Sequence, residues 1–179
     1  FALISLNGKK PIAINGSGAA PKKTTLNYLK KNKINKIELT SPHSVTIPGS
    51  VHAWHTMHQK YGKLDFEQLF IKAELYAREG YPIHEITAEA WKNNFKKLNR
   101  NLATKKIFIK DNSYYKFGDI HRNIQLAETL ENIGKKGKKD FYEGYIAEDI
   151  VQSLNELGGN HELDDFSYQN TIISETISN

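Results

Sequence analysis

The stretch Pro48-Gly-Ser-Val-His-Ala-Trp-His-Thr-Met-His-Gln-Lys-Tyr-Gly-Lys-Leu-Asp-Phe-Glu-Gln-Leu-Phe-Ile-Lys-Ala-Glu-Leu-Tyr-Ala-Arg-Glu-Gly-Tyr-Pro82 decides how this chain is read. Its first half has helical spacing. Val51, Trp54 and Tyr61 fall near one stripe, and Gly62 can end the helix. Its second half predicts another helix. Asp65 is placed as an N-cap with Gln68 three positions on, the pattern of a capping box. Phe66, Leu69, Phe70, Ala73, Tyr76 and Ala77 recur at steps of three and four and form one apolar face, and Gly80 and Pro82 stop it.

Toward the N-terminus, Phe1 to Ile14 reads as a β-hairpin. Asn7-Gly8, the preferred pair of a two-residue type I′ turn, joins two short apolar runs. The second run leaves through Ile14-Asn-Gly-Ser-Gly-Ala-Ala-Pro21, after which Thr24 or Thr25 can cap a short helix carrying Leu26 and Leu29. Residues 34–50 read as extended and turn-rich. Toward the C-terminus a helix is expected over Thr87 to Leu98, and 106–119 reads as extended with a turn at Asp111-Asn112. Ile124, Ala127, Leu130 and Ile133 give a helix ending near Gly134. Ile146, Ala147, Ile150, Val151, Leu154 and Leu157 give another, ended by Gly158-Gly159. The tail from Thr171 is polar and shows no convincing end to a domain. A hairpin followed by several helices is an α+β pattern, and two strands alone make no stable sheet, so partner strands are expected from elsewhere.

At 179 residues the chain can bury a core. Its composition, 39% hydrophobic and 25% charged, is that of a globular domain, and no apolar run approaches the ~20 residues of a membrane span. The absence of Cys excludes disulfides, thiolate metal sites and a Cys nucleophile. The compartment stays undecided, with the cytoplasm slightly favoured. The net charge of +5 comes from scattered Lys pairs interleaved with acids, which reads as a solvated surface and not as a nucleic-acid face. The chain starts at Phe1 and its one Met is Met57, so it reads as a piece of a longer or processed chain.

Four sets of residues are candidates for chemistry. The Gly16-Ser17-Gly18 turn lacks the Gly-Lys-Ser/Thr ending of a phosphate loop and the second half of a dinucleotide fingerprint. Its small residues would let backbone amides approach a ligand, or would simply make a strand-to-helix turn. His52, His55 and His58 sit at three-residue steps on a helix. At about 100° per residue the row drifts by about 60° per step, so adjacent members could share a metal but all three converge poorly. Ser41, His43 and Ser44 are neighbours in sequence without the G-x-S-x-G elbow of a serine hydrolase. Asp164-Asp165 reads as a turn or helix cap. None of these makes a self-contained active site.

Three segments together resemble the gamma-glutamyltransferase (gamma-glutamyltranspeptidase) family. The segment Ser41 to Glu85, with its S-P-H-x-V-x-I-P-G-x-V start and Y-G-x-L continuation, is similar to that family's long signature. Asp140-Phe-Tyr-Glu-Gly-Tyr-Ile-Ala through Gly158-Gly159 to Asp165-Phe166 is similar to a second family segment. Ala13-Ile-Asn-Gly-Ser-Gly-Ala-Ala-Pro21 lies where the family has an R-x-x-A-P-type or G-S-G-R-A-P-type loop. The order and spacing of the three match across nearly the whole chain.

The resemblance implies an α+β N-terminal nucleophile hydrolase fold, an αββα sandwich. This chain would supply a hairpin and several helices of the large subunit, all of 1–179 belonging to one incomplete domain. It implies acyl transfer from an amide, γ-glutamyl or related, through a Thr acyl-enzyme. The nucleophilic Thr and the oxyanion hole would lie in a small-subunit polypeptide cut from the same precursor, so no catalytic residue falls in this chain. No cofactor or metal is implied, nor a nucleic-acid or membrane partner. The partners would be that small subunit, a small-molecule amide and an amine or water acceptor.

The family's Arg, which grips a substrate carboxylate, would stand at Ser17 in one loop type and at Ala19 in the other. Ser17, Gly18 and Ala19 are therefore the expected substrate-binding positions, without the Arg. Losing that charge-assisted pair weakens carboxylate binding by about 2 kcal/mol. A homologue without catalysis, acting as a binding or structural module, is the alternative.

Overall fold

The computed structural model describes residues 1–177. It has the expected α+β class. The chain forms two compact units: Phe1–Phe66 together with Lys135 onward, and Glu67–Gly134.

The first unit is built on a three-stranded antiparallel sheet of order β1-β2-β7, from Ala2–Ile4, Ile12–Asn15 and Ile172–Glu175. β2 lies in the middle, with Ile14 opposite Ala2 on one side and Ile173 on the other. Ile14 is 2% exposed and anchors the buried face. Two sequence expectations change here. The polar tail supplies β7, so a partner strand expected from elsewhere comes from within the chain and β2 is paired on both edges. The Asn7-Gly8 turn is also not a two-residue type I′ turn, because the register starts at Ile4↔Ile12 and leaves residues 5–11 as a loop. Within that loop Lys9 N donates to Leu6 O at 2.9 Å, and Gly8 alone of the central pair has positive φ, +73°.

α1 (Leu26–Lys31) begins where Thr25 Oγ1 accepts from Tyr28 N at 3.1 Å, as the cap reading expects. α2 (Ser50–Tyr61) follows Gly49 and ends at Gly62. α8 (Tyr145–Glu156) has the expected bounds, with Ile146 and Ala147 buried and Gly158 in the left-handed region at φ +88°. α9 (Leu163–Ser167) starts at a capping box made by Glu162 and Asp165.

The second unit departs more from local expectation. The helix expected from Asp65 starts as a 3-10 turn, Phe66–Leu69, and becomes α3 only over Ile71–Glu79. Asp65 makes no cap there. Phe70 and Ala77 are buried, but Leu69 and Tyr76 of the predicted apolar face are more than half exposed. The helix expected over Thr87–Leu98 is two, α4 (Glu85–Asn93) and α5 (Phe95–Leu98), separated at Asn94, whose side chain turns back to Ala90 O at 2.9 Å. That back-bond competes with the helix ladder.

α6 (Leu102–Phe108) takes up the start of the segment read as extended. β4 (Ile109–Lys110) and β5 (Ser113–Tyr114) then form a hairpin around Asp111-Asn112. Both turn residues have positive φ, 50° and 58°, which is the type I′ signature. β3 (Tyr81–Pro82) pairs with β6 (Ile120–His121). α7 (Ile124–Glu143) passes through Gly134, where a helix end was expected, because Gly134 is the small residue packed against Glu67 and Phe70. Its ladder breaks at Gly137 instead (φ 68°, ψ −160°), a conformation open to glycine alone at little cost.

Candidate functional site

The loop Gly16–Ala20 leaves β2 beside the start of α2. Its glycines are demanded by packing. A Cβ at Gly18 would collide with the carbonyl of Ile47, one at Gly16 with the side chain of Ala53, and one at Gly49 with the carbonyl of Gly16. Ile47 N donates to Ala19 O at 3.0 Å and fixes the far side. The small residues therefore bring the loop backbone onto residues 47–53.

Ser17, Ala19 and Ala20 face outward. Both donors of Ser17 are committed: its N–H and its hydroxyl give to Asn15 Oδ1 at 2.9 and 2.6 Å. What Ser17 presents outward is therefore oxygen lone pairs. The two lysines that follow the loop in sequence are also engaged. Lys22 Nζ lies 3.5 Å from the centroid of the Tyr168 ring, and Lys23 Nζ pairs with Glu162. The loop Gly16–Ala20 itself carries no cationic side chain. Beside it lies a small hollow of about 70 Å³, lined by Ile14, Gly16, Ser50, Ala53, Trp54 and Met57 among others.

The strand-to-helix connection is pinned from the C-terminal segment. Asp165 Oδ1 accepts from Lys22 N at 3.0 Å while its Oδ2 accepts from Glu162 N at 3.0 Å. Thr24 Oγ1 donates to Asn160 Oδ1 at 2.7 Å. Asp165 thus takes part in the helix cap expected at Asp164-Asp165, with Glu162 as the capping residue, and it is also the clamp on the loop's exit. Only the fold shows that second role, since its partner lies 143 residues away.

The histidine row does not converge. His52 is buried, its Nδ1 2.8 Å from Thr171 Oγ1 and its Nε2 2.7 Å from Lys138 Nζ. An ammonium beside Nε2 needs a lone pair there, so the proton sits on Nδ1 and goes to Thr171. Burial first, then the Lys138 charge and His55, hold the His52 imidazole below its ordinary range. Burial, Lys138 and His58 do the same to His55, whose ring meets Phe66 edge-on at 5.5 Å. His58 Nε2 lies 2.7 Å from Leu64 O. Three histidines go to three different sets of partners.

Tyr142 joins this cluster: its hydroxyl donates to Pro48 O at 2.6 Å and accepts from His52 N at 3.1 Å, and burial pushes its pKa up to about 12. Ser41 caps the 3-10 turn Pro42–Ser44, Ser44 Oγ donates to Ser41 O at 2.7 Å, and the His43 ring faces Tyr28 at 5.6 Å. Neither serine hydroxyl is directed to that imidazole.

The gamma-glutamyltranspeptidase family model matches residues 1–179, and the chain belongs to that family. It is 31% identical over 163 residues to the glutathione hydrolase proenzyme of Escherichia coli, covering 89% of this chain and 28% of that protein. The crystal structure of Helicobacter pylori gamma-glutamyltranspeptidase superposes with a TM-score of 0.92 at 28% identity, over 98% of this chain and 52% of that one. Cephalosporin acylase from Bacillus halodurans superposes at 0.90 with 26% identity, over 98% of this chain and 34% of that one. The fold class is therefore that of N-terminal nucleophile hydrolases, and the chain spans about 30% of the length of the curated relatives it matches.

Proposed function

We propose that this chain is part of the large-subunit portion, within a single domain, of an enzyme that moves an acyl group from an amide to water or an amine. The match of the family to the whole described chain carries this reading. A small-subunit polypeptide cut from the same precursor supplies an N-terminal Thr. Its hydroxyl oxygen attacks the amide carbonyl, its own α-amine takes the proton, and the amine product leaves with that proton. Water or a second amine then attacks the acyl ester and frees the Thr. Relatives named as proenzymes support the cut.

This chain contributes the wall on which the acyl group rests, at Ser17, Gly18 and Ala19. With both Ser17 donors spent on Asn15 and no Arg present, that wall favours an acyl group whose recognition needs no carboxylate at this point.

The deciding experiment is intact mass and N-terminal sequencing of the purified full-length protein, then hydrolysis of γ-glutamyl and uncharged acyl anilides. A second polypeptide beginning with Thr and turnover of the uncharged anilide are expected. A single uncut chain without turnover would make the protein a non-catalytic homologue. Ser17→Arg should raise kcat/KM for the γ-glutamyl anilide about 30-fold, the worth of about 2 kcal/mol for one charge-assisted pair.

A further inference from the structure

Asn-Gly occurs twice in the sequence, at Asn7-Gly8 and at Asn15-Gly16. Glycine offers the least hindered backbone nitrogen to the preceding side-chain amide, so both dipeptides carry the same intrinsic reactivity. The fold separates them. We propose that Asn7 is a site of spontaneous deamidation and isoaspartate formation, and that the Ser17 loop shields Asn15 from the same reaction.

Asn7 and Gly8 lie exposed in the loop between β1 and β2. The one backbone bond across this turn is Lys9 N to Leu6 O. Among the described residues the Asn7 side chain makes no hydrogen bond, and nothing lies within 4 Å of where a Cβ on Gly8 would be. The side chain is free to swing its Cγ over the Gly8 nitrogen. Asn15 closes β2 opposite Ile172 of β7, and its Oδ1 holds two donors from Ser17. Gly16 is buried against Ala53. Reaction there needs both bonds broken and the strand end opened.

At Asn7 the Gly8 nitrogen bonds to Cγ, the Cγ–Nδ2 bond breaks, and ammonia leaves with the Gly8 amide proton. The resulting cyclic imide takes up one water. Opening at the side-chain carbonyl gives an aspartyl peptide. Opening at the main-chain carbonyl runs the chain through the former side chain and lengthens it by one methylene. The loop can absorb that atom because no residue of 5–11 is paired in the sheet. Each event lowers the net charge by one.

The test is incubation of the full-length protein at pH 8 and 37 °C, followed by peptide mapping for the amide-to-acid mass gain and by enzymatic methylation of isoaspartate. A parallel sample is held in urea. In the native protein Asn7 should react at least about tenfold faster than Asn15, the ratio set by a local opening cost of about 1.4 kcal/mol. In urea the two should react at similar rates. Asn7→Gln should remove the native isoaspartate signal. A native Asn7 that reacts no faster than Asn15, or that reacts in urea alone, overturns the proposal.

Discussion

Ser17 shows how one residue is read differently once its neighbours are known. In the sequence it is a small hydroxyl between glycines, free to hold a ligand. In the fold its two donors close on Asn15. Gly18 is the residue on which that arrangement depends most, because its missing Cβ is where the Ile47 carbonyl passes. Gly18→Ala should lower stability by about 1–3 kcal/mol, read as a fall in the urea midpoint of the full-length protein.

His52 provides the pH-dependent counterpart. The groups facing it are Lys138, His55, Thr56, Thr171 and Tyr142. Its folded imidazole is held below the ordinary 6.5, so the unfolded chain binds more protons as pH falls through that value. The stability His52 contributes is complete above pH 6.5 and is lost as pH drops toward its folded value. His55 and His121 add in the same direction, His121 through burial. Urea midpoints measured downward from pH 7.5 should therefore fall, and His52→Gln should make that fall shallower. A midpoint independent of pH across this span would rule out the depressed imidazoles.

Among the elements, some with local signals took the expected form, while the Asp65 cap, the Asn7-Gly8 turn and the single helix over Thr87–Leu98 gave way to other arrangements. α8 carries its own periodicity and α1 its own cap. Thr25→Ala should cost about 1 kcal/mol, visible as a lower thermal midpoint. The β4–β5 turn is equally local, since Asp-Asn is among the few non-glycine pairs that tolerate positive φ. Asn112→Gly should stabilise slightly, while Asn112→Val should destabilise by about 1–2 kcal/mol for placing a β-branched residue there. β7 has no such signal: Ile172, Ile173, Ser174 and Glu175 become a strand because β2 offers an unpaired edge. α9 is short, and Asp165 does two tasks at its start. Asp165→Ala should remove both the cap and the hold on Lys22 N, at about 1–3 kcal/mol.

For the whole molecule, part of the lysine charge behind the net +5 is paired. Lys23, Lys36, Lys92, Lys110 and Lys136 each sit beside a carboxylate, with N–O distances from 2.5 to 3.3 Å. These exposed pairs contribute little stability, but they spread and cancel the field that a polyanion would feel. Fluorescence anisotropy should find no binding of duplex DNA at low salt. Binding that weakens steeply with salt would show a basic face that the pairing hides.

What the sequence by itself determined was the family, the cap of α1, the periodicity of α8 and the β4–β5 turn. These are legible because periodicity, caps and turns are set by residues within a few positions of one another. The tertiary structure alone decided the third strand, the shift of the α7 break from Gly134 to Gly137, the commitment of Asp165 to the loop, and the triple of Thr171, His52 and Lys138. Each depends on partners brought together across the chain: Thr171 lies 119 residues from His52, and Lys22 lies 143 from Asp165. Such pairs leave no local pattern, because a hydrogen bond constrains where two groups meet in space and not how far apart they stand in the chain.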